Sequence, residues 1–196
     1  MIRRRKQVYE FKPDREETHI LKQLYLTRLQ RRQLLKWGLY AALCILLLTV
    51  QDVMLSQIRI SGATTDLAVC IIFLIGLYEG TENGSLFAII ASLVYLFSGN
   101  SPGAQCVALL TCGTVGLNLF RQMHWHRSSG SILLCTCVGI VLYEMLNFLF
   151  GVITGSTIWA RAGVFLLIAV MTCICTLPLY PLVKQISKIG GDTWKE

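Results

Sequence analysis

The chain has 196 residues, of which 54% are hydrophobic and 15% charged, and its formal net charge is +7. Soluble domains carry about 25% charged residues, so this composition excludes a soluble enzyme and predicts an integral membrane protein. Eleven of the eighteen Lys and Arg residues lie before Trp37. Because this charge adjoins an apolar segment, it indicates a cytoplasmic N-terminus rather than a nucleic-acid site, and we expect no nucleic acid among the partners.

Residues 1–36 are predicted to be a basic cytoplasmic head. Within it, residues 14–36 have the pattern of an amphipathic helix, with Asp14 and Glu17 spaced as in a capping box. Three roles are open for the head: its charges only fix the topology, its helix lies on anionic lipid, or it binds a protein. The candidate lipid contacts are Arg3, Arg4, Arg5, Lys6, Arg31 and Arg32.

Six apolar runs follow the head, and we predict an all-α membrane domain of about six transmembrane helices over residues 37–183. A span needs roughly 20 residues, and the second and third runs are shorter than that. A polar turn at residues 80–84 joins these two runs, which form either short tilted helices or a re-entrant hairpin. The runs cover residues 37–56, 67–78, 85–97, 104–120, 131–150 and 163–183.

The distribution of basic residues predicts the orientation. With six spans, the cytoplasmic segments hold sixteen Lys and Arg residues, whereas the outer loops hold only Arg59 and Arg161. Since Lys and Arg are retained on the cytoplasmic side, both termini are predicted to be cytoplasmic, with residues 184–196 forming a tail. A multi-pass arrangement in the membrane is expected.

Small residues recur at every fourth position from the second run into the third. A spacing of four places them on one helical face, where small side chains allow two helices to approach closely in lipid. We interpret this face as a packing surface or a partner interface, and we expect Leu at the second or third position to disrupt assembly with membrane partners. The series is Gly76, Gly80, Gly84, Ala88 and Ser92.

Glu144 is the acid placed deepest in an apolar run, as the fourteenth residue of the fifth run. A carboxylate at such a depth is protonated, paired or facing a cavity. Asn147 lies three residues further on, so the two side chains share a helical face. The pair is a candidate partner-binding polar site, and the alternative is a carboxyl group hydrogen-bonded to a neighbouring helix for packing.

No motif of catalysis or cofactor binding occurs in the chain. There is no phosphate loop, nucleophile elbow or pair of catalytic carboxylates. The eight cysteines lie in apolar runs without zinc spacing, and we interpret them as small hydrophobic residues. His124 and His126 flank Trp125 at a predicted membrane border. We therefore expect no enzyme activity, no cofactor and no metal.

Residues 51–103 resemble the rod shape-determining protein MreD family. The shared features are Gln51 after the first span, Gly62 and Asp66-Leu67 in a segment entering the second, and Gly80 and Gly84 in a G-x-x-x-G turn. A glycine-bearing loop at residues 98–103 follows the third span, as in that family. Thr65 stands where the family usually has proline.

The resemblance implies a non-catalytic membrane scaffold of the bacterial cell-wall elongation machinery that regulates cell shape, and it implies a location in the plasma (inner) membrane of a bacterium. Its implied partners are an MreC-like protein, the cell-wall synthases and an MreB-like filament. The family's fold is similar to the substrate-binding component of energy-coupling-factor transporters. The alternative is therefore a substrate-binding membrane subunit of a vitamin or micronutrient importer.

Overall fold

The computed structural model describes residues 28–55, 63–99, 101–124 and 129–189. These ranges are almost entirely helical and contain no β-strand. The head before residue 28, the tail after residue 189, and the candidate residues Arg3, Arg4, Arg5, Lys6 and Gly62 lie outside the described part. The helices are α1 (Arg28–Val50, continued by a π-helical turn Gln51–Leu55), α2 (Leu67–Phe97), α3 (Gln105–His124), α4 (Ser129–Ile153) and α5 (Ala162–Ile189, preceded by a 3₁₀ turn Trp159–Arg161).

Helix α2 folds back on itself at Gly80, and we call it the hairpin. Gly80 has φ 84° and ψ −171°, a backbone conformation that is essentially restricted to glycine. The two halves then run side by side, because the Tyr95 hydroxyl near the end of the hairpin lies 2.5 Å from the Asp66 carboxylate at its beginning. The predicted polar turn at 80–84 is therefore a break at one residue, and helix resumes at Thr81.

Glycine on both halves permits this close approach. A Cβ atom added to Gly84 would lie 2.1 Å from the Gly76 carbonyl oxygen, well inside van der Waals contact. Further along the second half, Ala88 and Ser92 are also fully buried. The small-residue face predicted from the sequence thus lies inside the chain's own fold.

The first half of the hairpin is the core of the molecule. Every residue from Leu67 to Leu77 is buried, as expected for a segment that is apolar on all sides and surrounded by other helices. The Phe73 ring contacts Tyr143 of α4, with centroids 6.4 Å apart. On α3, the Asn118 amide donates to the Gly76 carbonyl at 2.9 Å.

Successive connections alternate between two ends of the bundle, which we name by hairpin residues. The Gly80 end holds the beginning of α1, the α3–α4 connection and the end of α5, as contacts of Lys36 with Glu79 and of Tyr180 with Tyr78 show. The Asp66 end holds the end of α1, the α2–α3 connection and the α4–α5 connection. The chain therefore reverses direction at each connection, with the hairpin halves counted separately.

Among the residues that the structure describes, four helices (α1, α2, α4 and α5) are long and apolar enough to cross a membrane. Helix α3 has 20 residues and does not reach that apolarity. Most of the apolar stretch of α2 is buried, whereas α1 and α5 turn most of theirs outward. The predicted domain boundaries at residues 36/37 and 183/184 fall inside α1 and α5, which continue beyond them.

Candidate functional site

A buried ion pair lies at the Gly80 end. The Lys36 ammonium is 2.6 Å from the Glu79 carboxylate, and both side chains are more than nine-tenths buried. The Tyr40 hydroxyl donates to the other Glu79 oxygen at 2.8 Å. Removal of either charge would leave its partner buried and unpaired, so this trio holds α1 to the hairpin.

Aromatic rings enclose this ion pair. Trp37, Tyr40 and Phe87 contact one another with ring centroids 6.0 to 6.2 Å apart, and the Lys36 ammonium lies 6.0 Å from the Tyr40 ring centroid. Lys36 is the last residue of the predicted cytoplasmic head, and the structure buries it against Glu79. The spacing of Lys36 and Tyr40 by four residues was the available signal, because it places both on one helical face.

A second polar network lies towards the Asp66 end of the bundle. Asp66 caps the hairpin and accepts hydrogen bonds from the Val69 amide and the Gln51 side chain, both at 3.3 Å. The same Gln51 side chain accepts from the Ala68 amide at 3.0 Å. Gln51 therefore satisfies a backbone donor of the helix N-terminus and joins the end of α1 to the hairpin.

This network lies well below the end of the bundle. The Asp66 backbone amide donates to the Thr172 hydroxyl at 3.1 Å, and Thr172 lies ten residues into α5, about 15 Å from its start at 1.5 Å per residue. The first half of the hairpin therefore begins inside the bundle.

Three neighbouring side chains of α4 lie at a similar depth. Glu144 is nine residues before the end of α4, about 14 Å along the helix, and it interacts electrostatically with Asp66. Tyr143 also lies within electrostatic reach of Asp66 and beside Asn147. The cluster thus contains Glu144 and Asn147, which the sequence predicted, and Tyr143, which sequence reasoning missed.

These three groups lack partners in the described part of the chain. The Tyr143 hydroxyl and both polar atoms of the Asn147 amide are buried, and none of them makes a hydrogen bond of ordinary distance and angle within the described residues, although the two side chains lie next to each other. No described residue forms a hydrogen bond or an ion pair with the Glu144 carboxylate. Buried polar groups in proteins are almost always satisfied, so this cluster is the best candidate for a binding site.

Metal binding has no support among the described residues, where no group of three or more His, Cys, Asp or Glu side chains is placed to hold an ion. The eight cysteines are all free thiols. Of the candidate lipid contacts, Arg31 and Arg32 are exposed near the beginning of α1. They lie at the same end as the buried ion pair.

The chain is a helical protein with two internal polar clusters. The length and apolarity of its described helices make this architecture compatible with a multi-pass membrane protein. Comparison with protein families, with characterised proteins and with solved structures finds no match to this chain.

Proposed function

We propose that the chain is a non-catalytic membrane scaffold of the bacterial cell-wall elongation machinery, with six membrane segments and both termini in the cytoplasm. One observation carries this proposal. The described residues on which the resemblance to the MreD family rests build both ends of the hairpin, with Gln51 and Asp66 bonded at one end and Gly80 and Gly84 forming the other. The resemblance thus falls on residues that shape the core.

The six proposed segments are the two halves of the hairpin, counted separately, and the four other helices. The break at Gly80 leaves 13 helical residues before it and 17 after it, about 20 and 25 Å long. The first half is shorter than a hydrocarbon core of about 30 Å, because its first residue lies inside the bundle and not at the level where the other helices end. Helix α3 is then the fourth segment, shielded from lipid in part by its packing on the hairpin.

Charge supports the proposed orientation. Among basic side chains that the structure describes, Arg161 alone lies at the Asp66 end. The rest cluster towards the Gly80 end, which the positive-inside rule assigns to the cytoplasm. They are Arg31, Arg32, Lys36, Arg121, Lys184 and Lys188.

The outward-facing apolar sides of α1 and α5 are the surfaces proposed for lipid and for membrane partners. Leu166, Ile174 and Leu177 of α5 are each more than half exposed. An MreC-like protein and the cell-wall synthases would contact such surfaces within the membrane, whereas an MreB-like filament would meet the basic Gly80 end. Anionic lipid would bind at the same end through exposed arginines.

Complementation tests the scaffold. In a rod-shaped bacterium depleted of its own MreD-type protein, we expect this chain to restore rod shape and to co-purify with the MreC-like protein. Leu166→Ala combined with Ile174→Ala should weaken co-purification without loss of expression. Gly84→Leu is unsuitable for this purpose, because it would disrupt the hairpin itself. Normal membrane levels without rod shape and without co-purification would contradict the proposal.

A second candidate is the substrate-binding subunit of an energy-coupling-factor importer. The specific observation in its favour is the unpartnered polar cluster of Tyr143, Glu144 and Asn147, since such subunits need a polar site within the bundle. A screen of vitamins by thermal unfolding tests it, because a high-affinity ligand stabilises the folded state markedly. The absence of any stabilising vitamin would count against this candidate and would leave the scaffold proposal intact.

A further inference from the structure

The unpartnered cluster on α4 has a composition that points to a particular kind of ligand. Tyr143, Glu144 and Asn147 are 2%, 6% and 5% exposed. Between them they present a carboxylate, an amide and a phenol, which are rich in hydrogen-bond acceptors. Leaving such groups unsatisfied inside a protein is costly, so a ligand that bonds to them would be strongly favoured.

The carboxyl groups at this depth belong to Asp66 and Glu144. Asp66 is already satisfied by donors from Gln51, Val69 and Tyr95. Glu144 lies within electrostatic reach of Asp66 and has no donor of its own in the described ranges. No described basic residue forms an ion pair with either carboxylate. A cationic ligand with several N–H donors would complete this cluster, because it would pair with Glu144 and bond to the neighbouring acceptors.

Aromatic rings lie next to the cluster, one helical turn further towards the Asp66 end. Phe148 lies one turn beyond Glu144 on α4, and its ring contacts Trp159 and Phe165 with centroids 5.6 and 5.3 Å apart. Trp159 is 67% exposed. Aromatic faces attract organic ammonium groups, whereas a bare metal ion would require more oxygen ligands than this cluster shows.

We propose that Tyr143, Glu144 and Asn147 bind a primary ammonium group, supplied either by a free alkylamine or by the headgroup of an ethanolamine phospholipid. Glu144 provides the ion pair, and the Asn147 carbonyl and the Tyr143 oxygen accept the remaining N–H bonds. The Asn147 NH₂ group donates to a hydroxyl or phosphate oxygen on the ligand. The ammonium site does not depend on the scaffold function, and it uses the same three residues that the importer candidate would use for its substrate.

The test uses the full chain and paired probes in which the ammonium group carries either three N–H groups or three N-methyl groups. Thermal unfolding is measured in detergent with increasing ethanolamine or choline, and in nanodiscs of phosphatidylethanolamine or phosphatidylcholine. We expect saturable stabilisation by the primary ammonium and little by its trimethylated analogue. Stabilisation in both the detergent and the nanodisc arms identifies a site open to free amines, and stabilisation in nanodiscs alone identifies a lipid headgroup site.

Variants assign the effect to the cluster. Glu144→Gln should melt at a higher temperature than the natural chain without ligand, because it removes a buried unpaired carboxylate, and it should lose the ammonium response. Asn147→Leu and Tyr143→Phe should each weaken half-saturation by about tenfold or more. Glu82→Gln, which neutralises an exposed acid at the other end, should respond like the natural chain.

Two results would overturn the proposal. The first is a natural chain that shows no saturable preference for primary ammonium over its trimethylated analogue in either arm. The second is an undiminished response in Glu144→Gln or, if that variant fails to fold, in Asn147→Leu. Destabilisation of Glu144→Gln together with an absent response in the natural chain would show that the carboxyl group serves packing only.

Discussion

Lys36 shows how one residue can have a different role from the charged segment to which it belongs. In the sequence it is the last of eleven basic residues before the apolar part of the chain, and its neighbours suggest a solvated position. In the structure its ammonium is buried against Glu79 and Tyr40. Composition predicts the side of the membrane on which such a residue lies, but not which long side chain turns inward to pair.

The first prediction concerns this ion pair. Lys36→Met should destabilise the protein by about 3–5 kcal/mol, because it leaves the Glu79 carboxylate buried without its cation. Lys36→Met combined with Glu79→Leu should recover much of that loss, since an apolar pair replaces the ionic one. Thermal or denaturant unfolding in detergent measures both variants.

Arg31→Met supplies the control for this prediction, because it removes an exposed cation from the same helix and should change stability little. Tyr40→Phe should fall between the two, since it removes one hydrogen bond to a charged acceptor, worth about 1.5–3 kcal/mol. Equal stability of Lys36→Met and Arg31→Met would show that the ion pair does not hold α1 to the hairpin.

A second prediction at this scale concerns Gln51. Gln51→Leu leaves the Ala68 amide unsatisfied and removes a donor from Asp66, so it should cost about 2–4 kcal/mol. Gln122→Leu replaces the same residue type at an exposed position of α3 and should be close to neutral. Unfolding of both variants under one condition is the measurement. Similar losses in the two would contradict the role assigned to Gln51.

At the scale of the element, the hairpin was predictable in outline. Two short apolar runs with a polar segment between them indicated either two short helices or a re-entrant hairpin. The boundaries were not predictable, because residues 81–84 are polar and still helical. Glu82 lies in the first turn after the break, where the helix dipole favours an acid, and the glycine conformation at Gly80 alone supplies the reversal.

The closeness of the two halves gives the third prediction. Gly84→Ala places a Cβ atom 2.1 Å from the Gly76 carbonyl oxygen, so the halves must separate, at a cost of about 1–3 kcal/mol or more. Gly116→Ala meets nothing within 4 Å and should stabilise α3 by up to about 1 kcal/mol. The two substitutions are chemically identical, so opposite signs in thermal unfolding would isolate the packing effect. Stabilisation by both would show that the halves are not in contact at Gly84.

For the whole molecule, hydropathy and charge predict a helical membrane protein with basic residues at one end. They do not predict that Asp66 begins the hairpin inside the bundle, or that it meets Tyr95 and Thr172 there. A sequence shows which residues are polar, but encounters between helices distant along the chain depend on packing. The same limit applies to Tyr143, which reads as an ordinary aromatic residue until its hydroxyl is found buried without a partner.

The last prediction separates a six-segment topology from one with four crossings. If the hairpin crosses twice, Gly99 lies outside the cell, because Tyr95 and Asp66 meet at the Asp66 end. If residues 67–97 cross once as a single helix and α3 does not cross, Gly99 lies in the cytoplasm. Both topologies place Gly155 outside and Glu196 inside, so these two positions serve as controls.

Reporter fusions after Gly99, Gly155 and Glu196 provide the measurement, since eight native cysteines complicate thiol labelling. We expect a reporter active only outside the cytoplasm to work after Gly99 and Gly155, and a reporter active only in the cytoplasm to work after Glu196. Cytoplasmic activity after Gly99 would reject the hairpin as two membrane segments. Activity outside the cell after Glu196 would reject the proposed orientation as a whole, because the basic Gly80 end would then face away from the cytoplasm.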